Sequence, residues 1–281
     1  MGRHTVQRIG FGLLALASLV VVLPILFVVG NVFVQGIGAI SWEFLTAMPR
    51  DGMKAGGVLP AIVGTILLTL GTAVAAIPVG VGAAIYLAEY ARDNIFTRAI
   101  RLAIVNLAGV PSVVYGLFGV GLFVLFLGFG TSILAGSLTL AIMTLPVIIS
   151  TAEEALRAVP VEFRTVSASL GGTTWQGIRR IVLPQALPGI ITGVILGLLR
   201  AAGETAPILF TVAAFFLPQL PHSMFDQTMA LPYHLYVIST QVPNMPLQIQ
   251  YGTALVLLAL VLSMNLAATL IRSYFRRRRE W

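Results

Sequence analysis

Residues 193–207 read Gly193-Val-Ile-Leu-Gly197-Leu-Leu-Arg200-Ala-Ala-Gly203-Glu204-Thr205-Ala-Pro207. They lie inside a longer apolar run, 189–216, whose only charged residues are Arg200 and Glu204. A helix of about 20 mostly apolar residues crosses the hydrocarbon of a bilayer, so the run reads as a membrane span with an internal charge pair. An arginine at the bilayer centre costs about 2.5–3.5 kcal/mol on insertion scales and usually faces a bundle interior or a watery cavity. Gly193, Gly197, Arg200 and Glu204 are spaced 4, 3 and 4 apart, which places them within roughly 60° of one another on a helix. One face then offers two glycines for close helix approach followed by an (i, i+4) ion pair. Thr205 lies about 100° round from Glu204, and Pro207 breaks the helix just beyond. Two roles stay open on these residues alone. The pair can neutralise itself and hold helices together. Alternatively it forms a polar gate on a solute path, where the planar fork of Arg200 donates two parallel hydrogen bonds to an oxyanion. In that role Glu204 holds Arg200 in place and keeps anion affinity weak enough for release.

Five more segments have the same length and apolarity, at about 9–34, 60–88, 102–129, 132–151 and 251–271. The expectation is an all-α integral membrane protein of six transmembrane helices. Composition agrees. Of 281 residues 58% are hydrophobic and 10% charged, with a mean hydropathy of +0.96, whereas a soluble domain carries about 25% charged residues. This excludes a soluble enzyme or nucleic-acid-binding domain. The first apolar run, about 26 residues long, exceeds the ~7–15 of a signal-peptide core and is expected to remain as a span. The short Gly128-Phe129-Gly130-Thr131 link predicts that the third and fourth spans form an antiparallel hairpin. Pro24, Pro78, Pro111, Pro146 and Pro207 place a bend in five of the six spans.

Basic residues predict the orientation, because loops on the cytoplasmic side are enriched in Lys and Arg. An even span count puts both termini on one side. With both termini cytoplasmic, 14 of the 17 basic residues lie inside and only Arg50 and Lys54 lie outside. The run Arg276-Arg277-Arg278-Arg279 then anchors the topology and suits anionic headgroups. Cysteine is absent, which excludes disulfides and thiolate chemistry. The single lysine, Lys54, stands between Met53 and Ala55, so the chain holds no P-loop. His222 and His234 make a poor metal site, since three or four ligands are needed and only Asp226 is near. No catalytic residue, metal or cofactor is expected in this chain.

The loop at about 152–188 is amphiphilic and longer than a connector needs. Two short helices are expected in it, split by Gly171-Gly172. The second starts at a capping box, Thr173 to Gln176, and ends at Ile181-Val-Leu183-Pro184. Such a loop suits a docking surface for a cytoplasmic partner. Glu153-Glu154 reads as the solvated end of the fourth span.

Gly171, nine residues, then Ile181-x-Leu183-Pro184 resembles the EAA loop of bacterial ABC-importer permeases. That pattern runs Glu-Ala-Ala, three residues, Gly, nine residues, Ile-x-Leu-Pro; here Thr165, Val166 and Ser167 replace the leading triplet. Arg200-Ala-Ala-Gly203-Glu204-Thr205-Ala206-Pro207 is similar to the Arg-Ala-x-Gly-Glu-Thr-Ala-Pro stretch of phosphate-specific ABC transporter permeases, in the PstA-like member of that permease pair. Gly109-Val-Pro-Ser-Val-Val-Tyr-Gly-Leu-Phe-Gly119 and Met229-Ala-Leu-Pro232 resemble the same member, and the similarity spans about residues 60–275.

The resemblance implies a type I ABC-importer permease in a bacterial cytoplasmic (inner) membrane. It implies a second homologous permease, a cytoplasmic ATPase dimer that binds ATP and Mg, and a periplasmic or lipid-anchored phosphate-binding protein. Thr165, Ser167, Leu170, Gly171, Gly172, Ile181, Leu183 and Pro184 would then dock the ATPase, and Arg200, Glu204 and Thr205 would line the phosphate path. The organisation expected is 1–59, an N-terminal helix and outer loop; 60–275, the transport domain; and 276–281, a basic tail. The competing readings are a permease for another oxyanion such as molybdate or sulfate, a proton-coupled carrier with Glu204 as its proton site, and a non-transporting membrane scaffold.

Overall fold

The computed structural model describes residues 3–169 and 171–277. It is mostly helical. Helix α1 covers Arg3–Gly36 and is exposed all round its apolar middle, as a helix bathed in lipid must be. It lies against one neighbour, the last long helix, where Gly36 meets the Tyr251 carbonyl. A small cap follows at one end of the bundle. It contains α2 (Trp42–Thr46) and a two-residue hairpin, β1 (Pro49–Arg50) with β2 (Ala55–Gly56), in the register Pro49↔Gly56 and Arg50↔Ala55. Gly56, at φ +83°, turns the chain back beneath Met48.

Helix α3 (Leu59–Ile85) runs on as a π-helical turn, Tyr86–Tyr90. Helix α4 (Ile95–Ala108) and α5 (Ser112–Gly119, continued as a π segment Val120–Phe126) come next. After α6 (Ile133–Arg157) come two short helices, α7 (Val161–Ser169) and α8 (Thr174–Gly177). A third π turn, Ile178–Val182, leads into α9 (Leu183–Gly203). Short helices α10 (Ala206–Thr211) and α11 (Leu231–Thr240) precede the last long helix, α12 (Leu247–Arg277).

The centre of the bundle is α6. It is the most buried span and packs against α3, α9, α4, α5 and α10. Small residues let these helices close up: Gly80 of α3 faces Ile148, and Gly119 of α5 faces Thr139. Threonines on the buried faces need no outside partner. Thr65, Thr69 and Thr72 each donate at 2.7 Å to the carbonyl four residues earlier. Thr65 also accepts the Leu231 amide at 2.8 Å, which pins the start of α11 to α3.

Among the described residues, five helices are long and apolar enough to cross a membrane, and a sixth crossing requires α4 and α5 to be counted together. Those two are bent by 103°. The third span expected at 102–129 with a bend at Pro111 is therefore a sharp corner rather than a gentle kink. Gly109 caps α4, and Pro111 at ψ 139° disfavours helix for the residue before it. The Tyr115 hydroxyl donates to the Leu107 carbonyl at 2.7 Å across the corner and satisfies a freed backbone group.

The fifth span also differs from the expected 189–216. Its helix starts much earlier, at Thr174, and stops at Gly203. Glu204 is extended at ψ 136°, and Pro207 lies in the first turn of α10, where its missing N–H does no harm. Residues 212–230 then fold over the N-terminus of α6. The amides of Ser132, Ile133 and Leu134 donate to Thr211, Asp226 and Met224 carbonyls at 2.8–2.9 Å. These bonds satisfy donors that a helix start leaves free.

At the other end, the non-spanning segment shrinks from 152–188 to about 158–173, because α6 reaches Arg157 and α8 begins at Thr174. The expected capping box at Thr173 and Gln176 is formed. The helix it starts does not end at Pro184. Proline has no N–H to donate, and the wider π turn 178–182 carries the chain past it into α9.

Candidate functional site

Arg200 stands in the last turn of α9, with its cation at the negative end of the helix dipole. It therefore sits at the end of α9 rather than at mid-helix. Its Nε donates to Glu204 Oε1 at 3.3 Å. Among the described residues, the Nη1 and Nη2 groups make no hydrogen bond, and the side chain is 36% exposed against 19% for Glu204. The guanidinium thus keeps its two-pronged edge for an incoming acceptor. Tyr115 of α5 lies close enough to Arg200 to interact electrostatically.

Behind the pair, Glu204 lines a small cavity with Thr65 and Thr69 of α3, Ala202 of α9 and Pro232 of α11. Thr205 is half-buried and begins α10, where its carbonyl accepts the Leu209 amide at 3.1 Å. The structure brings Arg200, Glu204 and Thr205 together at the junction of α9 and α10. Gly116 of α5 lets that helix sit tightly on this junction, since an added Cβ would be 3.0 Å from Pro207 Cα.

Gly193 and Gly197 lie on the same helix, turned toward α6. A Cβ at Gly193 would collide with Thr151, and one at Gly197 would lie 3.0 Å from Ile148. Glu204 does not continue their face, because its backbone has left the helix.

The residues expected to dock an ATPase lie at the opposite end of α9. Pro184 and Arg200 are 16 positions apart, about 24 Å along a helix axis. Gly171 takes φ +72°, the left-handed turn between α7 and α8. Thr165 is exposed and its hydroxyl donates to Glu162 carbonyl at 2.8 Å. Ile181, Leu183 and Pro184 are half-buried. Leu170 and the side chain of Ser167 lie outside the described residues, as do residues 278–281 of the basic tail. Gly172 and Thr173 border a cavity of about 260 Å³ whose floor is Glu89 and Arg164.

That cavity marks what a sequence reading misses. Arg164 meets Glu89 in a bidentate pair, Nε to Oε2 at 3.1 Å and Nη2 to Oε1 at 2.8 Å. Glu153 is not a solvated helix end. It is 8% exposed, and its Oε1 accepts a hydrogen bond from Arg101 Nε at 2.8 Å and forms an ion pair with Arg157 at 2.9 Å. Arg101 also donates to the Leu87 carbonyl at 2.9 Å, in the π turn that ends α3. Only the Glu153–Arg157 pair has a local signature, its (i, i+4) spacing.

In the segment between α10 and α11, the Asp226 carboxylate accepts the His222 and Ser223 amides, each at 2.8 Å, which hold its pKa below the usual carboxylate range. His234 is separate from this loop. It is 2% exposed, with an Nδ1 that makes no hydrogen bond, and burial pushes its pKa down to about 4. Among the described residues, no three metal-ligating side chains come together.

A bent bundle of long apolar helices, with a guanidinium pair at one end of a span and a two-helix loop at the other, defines a multispan integral membrane protein. Residues 76–281 match the family described as binding-protein-dependent transport system inner membrane component, and the chain belongs to that family. It is 31% identical to the probable ABC transporter permease protein YqgI of Bacillus subtilis, over 95% of both chains. It is 36% identical to the phosphate transport system permease protein PstA 1 of Mycobacterium tuberculosis, over 93% of this chain and 85% of that one. Among solved structures, a bacterial ABC transporter involved in import of the acidic polysaccharide alginate matches with a TM-score of 0.66 at 15% identity, covering 96% of this chain and 99% of the other. The inward-facing MetNI methionine ABC transporter matches with a TM-score of 0.63 at 16% identity, over 78% and 95%. These likenesses speak for the fold, that of ABC-importer permeases.

Proposed function

We propose that this chain is a permease subunit of an ATP-driven importer of inorganic phosphate. Arg200, Glu204 and Thr205 line its solute path. The observation that carries the reading is the guanidinium of Arg200, held through Nε by Glu204 with its Nη groups left for an anion. Relatives named as phosphate transport permeases align over most of the chain and support phosphate as the cargo.

In this reading both termini are cytoplasmic. A phosphate-binding protein delivers solute from outside, and a second permease completes the path. A cytoplasmic ATPase dimer, which binds ATP and Mg, docks on the segment from Thr165 to Pro184. An oxyanion reaching the site exchanges its hydration for the two-pronged edge of Arg200. Glu204 repels the same anion, so binding stays reversible. Movement of α8 and α9, which run as one 30-residue helix from Thr174 to Gly203, carries a displacement at the docking end to the Arg200 end.

The test is uptake of labelled phosphate by the assembled transporter in vesicles. With ATP, wild type is expected to accumulate phosphate, and Arg200→Gln is expected to abolish accumulation while the complex still assembles. Normal uptake by the variant removes the role from Arg200. Strong competition by molybdate or sulfate reassigns the cargo to another oxyanion. Uptake that needs no nucleotide and stops when the proton gradient collapses replaces the ATP-driven reading with a proton-coupled one at Glu204.

A further inference from the structure

Arg164 spends all of its hydrogen-bonding capacity. A guanidinium has five N–H donors in a fixed fork. Here Nε and one Nη2 donor go to Glu89, the other Nη2 donor goes to the Leu156 carbonyl at 2.8 Å, and Nη1 reaches the Val159 and Pro160 carbonyls at 2.5 and 3.5 Å. These five acceptors belong to two places: the π turn that follows α3, and the C-terminal end of α6 with the residues just after it. The arginine itself belongs to α7. One side chain therefore joins three elements, two of them membrane spans.

The joint is sheltered. The Glu89 side chain is 7% exposed and that of Arg164 27%. The outward face of α7 remains open, with Val161 65% exposed and Thr165 also exposed. The α7 surface is thus free to be gripped while its inner side is tied to α3 and α6. The tie to α3 runs through a π turn, and such turns recur at functional sites.

We propose that Arg164 is a positioning residue for transport: it makes α7 move as one body with the π turn of α3 and the end of α6, so that a push on α7 reaches the spans. This rests on the reading of α7 as the element that a docked ATPase grips. Capping the carbonyls of α6 would by itself be a structural task. The bond to Glu89 is different, because it crosses to another span and can be weakened alone. Glu89→Gln keeps the shape, removes the charge and one of the two acceptor oxygens, and leaves the three carbonyl bonds of Arg164 in place.

The experiment uses the full transporter complex in lipid discs and in vesicles, with wild type, Glu89→Gln and Arg164→Gln. The chain has no cysteine, so cysteines placed at Tyr86 and Val161, both exposed, can carry a pair of spin labels. In wild type the label spacing is expected to stay the same between the nucleotide-free and the vanadate-trapped complex. In both variants it is expected to change on trapping, and phosphate moved per ATP hydrolysed is expected to fall by about tenfold. The ATPase should still co-purify with the Glu89→Gln complex.

A wild-type spacing that itself changes on trapping overturns the proposal. So do variants whose spacing stays fixed, variants that keep wild-type coupling, and a Glu89→Gln complex that loses its ATPase. A wild-type complex that traps nucleotide but moves no phosphate refutes the cargo assignment, and the spacing arm then decides the proposal alone.

Discussion

Nε of Arg200 lies 3.3 Å from Oε1 of Glu204 across the end of a helix, with the arginine in the last helical turn and the glutamate already extended. The (i, i+4) contact survives although the helix ends at Gly203, between the two partners. The glutamate restrains the arginine without covering its forked edge. Replacing Glu204 with Gln should release that restraint and remove the repulsion that favours anion departure. Expected is a lower KM for phosphate together with a lower maximal uptake rate, by about tenfold for a coupling of ~1.4 kcal/mol. Uptake kinetics in vesicles check it, and an unchanged KM removes the release role from Glu204.

The Gly193 face gives a stability prediction. A methyl group there meets Thr151 on α6, whereas Gly203 has nothing within 4 Å of the same position. Gly193→Ala is therefore expected to destabilise the bundle by about 1–3 kcal/mol, the range for overpacking. Gly203→Ala should be neutral or stabilise by up to ~1 kcal/mol through helix propensity. Thermal unfolding of the purified variants in detergent compares the two. Equal effects would mean that α6 and α9 part easily at this crossing.

Glu153 holds α4 to α6 through Arg101, two residues far apart in sequence. Glu153→Gln leaves the Arg101 guanidinium, 26% exposed, without its counter-charge. The expected loss is about 2 kcal/mol, below the ~3–5 of a fully buried pair because water still reaches Arg101. Salt should change this loss little, since a sheltered pair is weakly screened. By contrast, removing the exposed Arg50–Glu43 pair should cost next to nothing. Unfolding midpoints at low and high salt separate the two sites.

Span length and apolarity made α1, α3, α6 and α12 legible in the sequence. The same measure failed at two places for one reason: it counts apolar residues and carries no direction. Residues 102–129 are apolar throughout but turn a corner at Gly109 to Pro111, where the Tyr115 hydroxyl repairs the backbone. Residues 206–216 are apolar too, yet Ile208 and Val212 are buried against protein rather than lipid. The Arg200–Glu204 pair could be read because its partners are four residues apart. Glu89 and Arg164 are separated by 75 residues, and no local pattern joins them.

His234 supplies the pH prediction. It is buried with an unpartnered Nδ1, and its pKa in the folded chain is lowered to about 4 from an ordinary 6.5. The unfolded chain therefore takes up the proton first as pH falls. Between about 6.5 and 4 the unfolded state binds more protons than the folded one, so stability declines with falling pH across that window. The decline from this one group is on the order of 3 kcal/mol, at 1.36 kcal/mol for each unit between 6.5 and about 4. Above pH 6.5 the group contributes no slope. Leucine is close to histidine in size and has no proton to bind, so His234→Leu should flatten the decline while leaving stability at neutral pH unchanged or higher. Unfolding midpoints measured every half unit from pH 8 to 4 in detergent follow both proteins, and parallel curves would show that the folded chain protonates His234 as readily as the unfolded one.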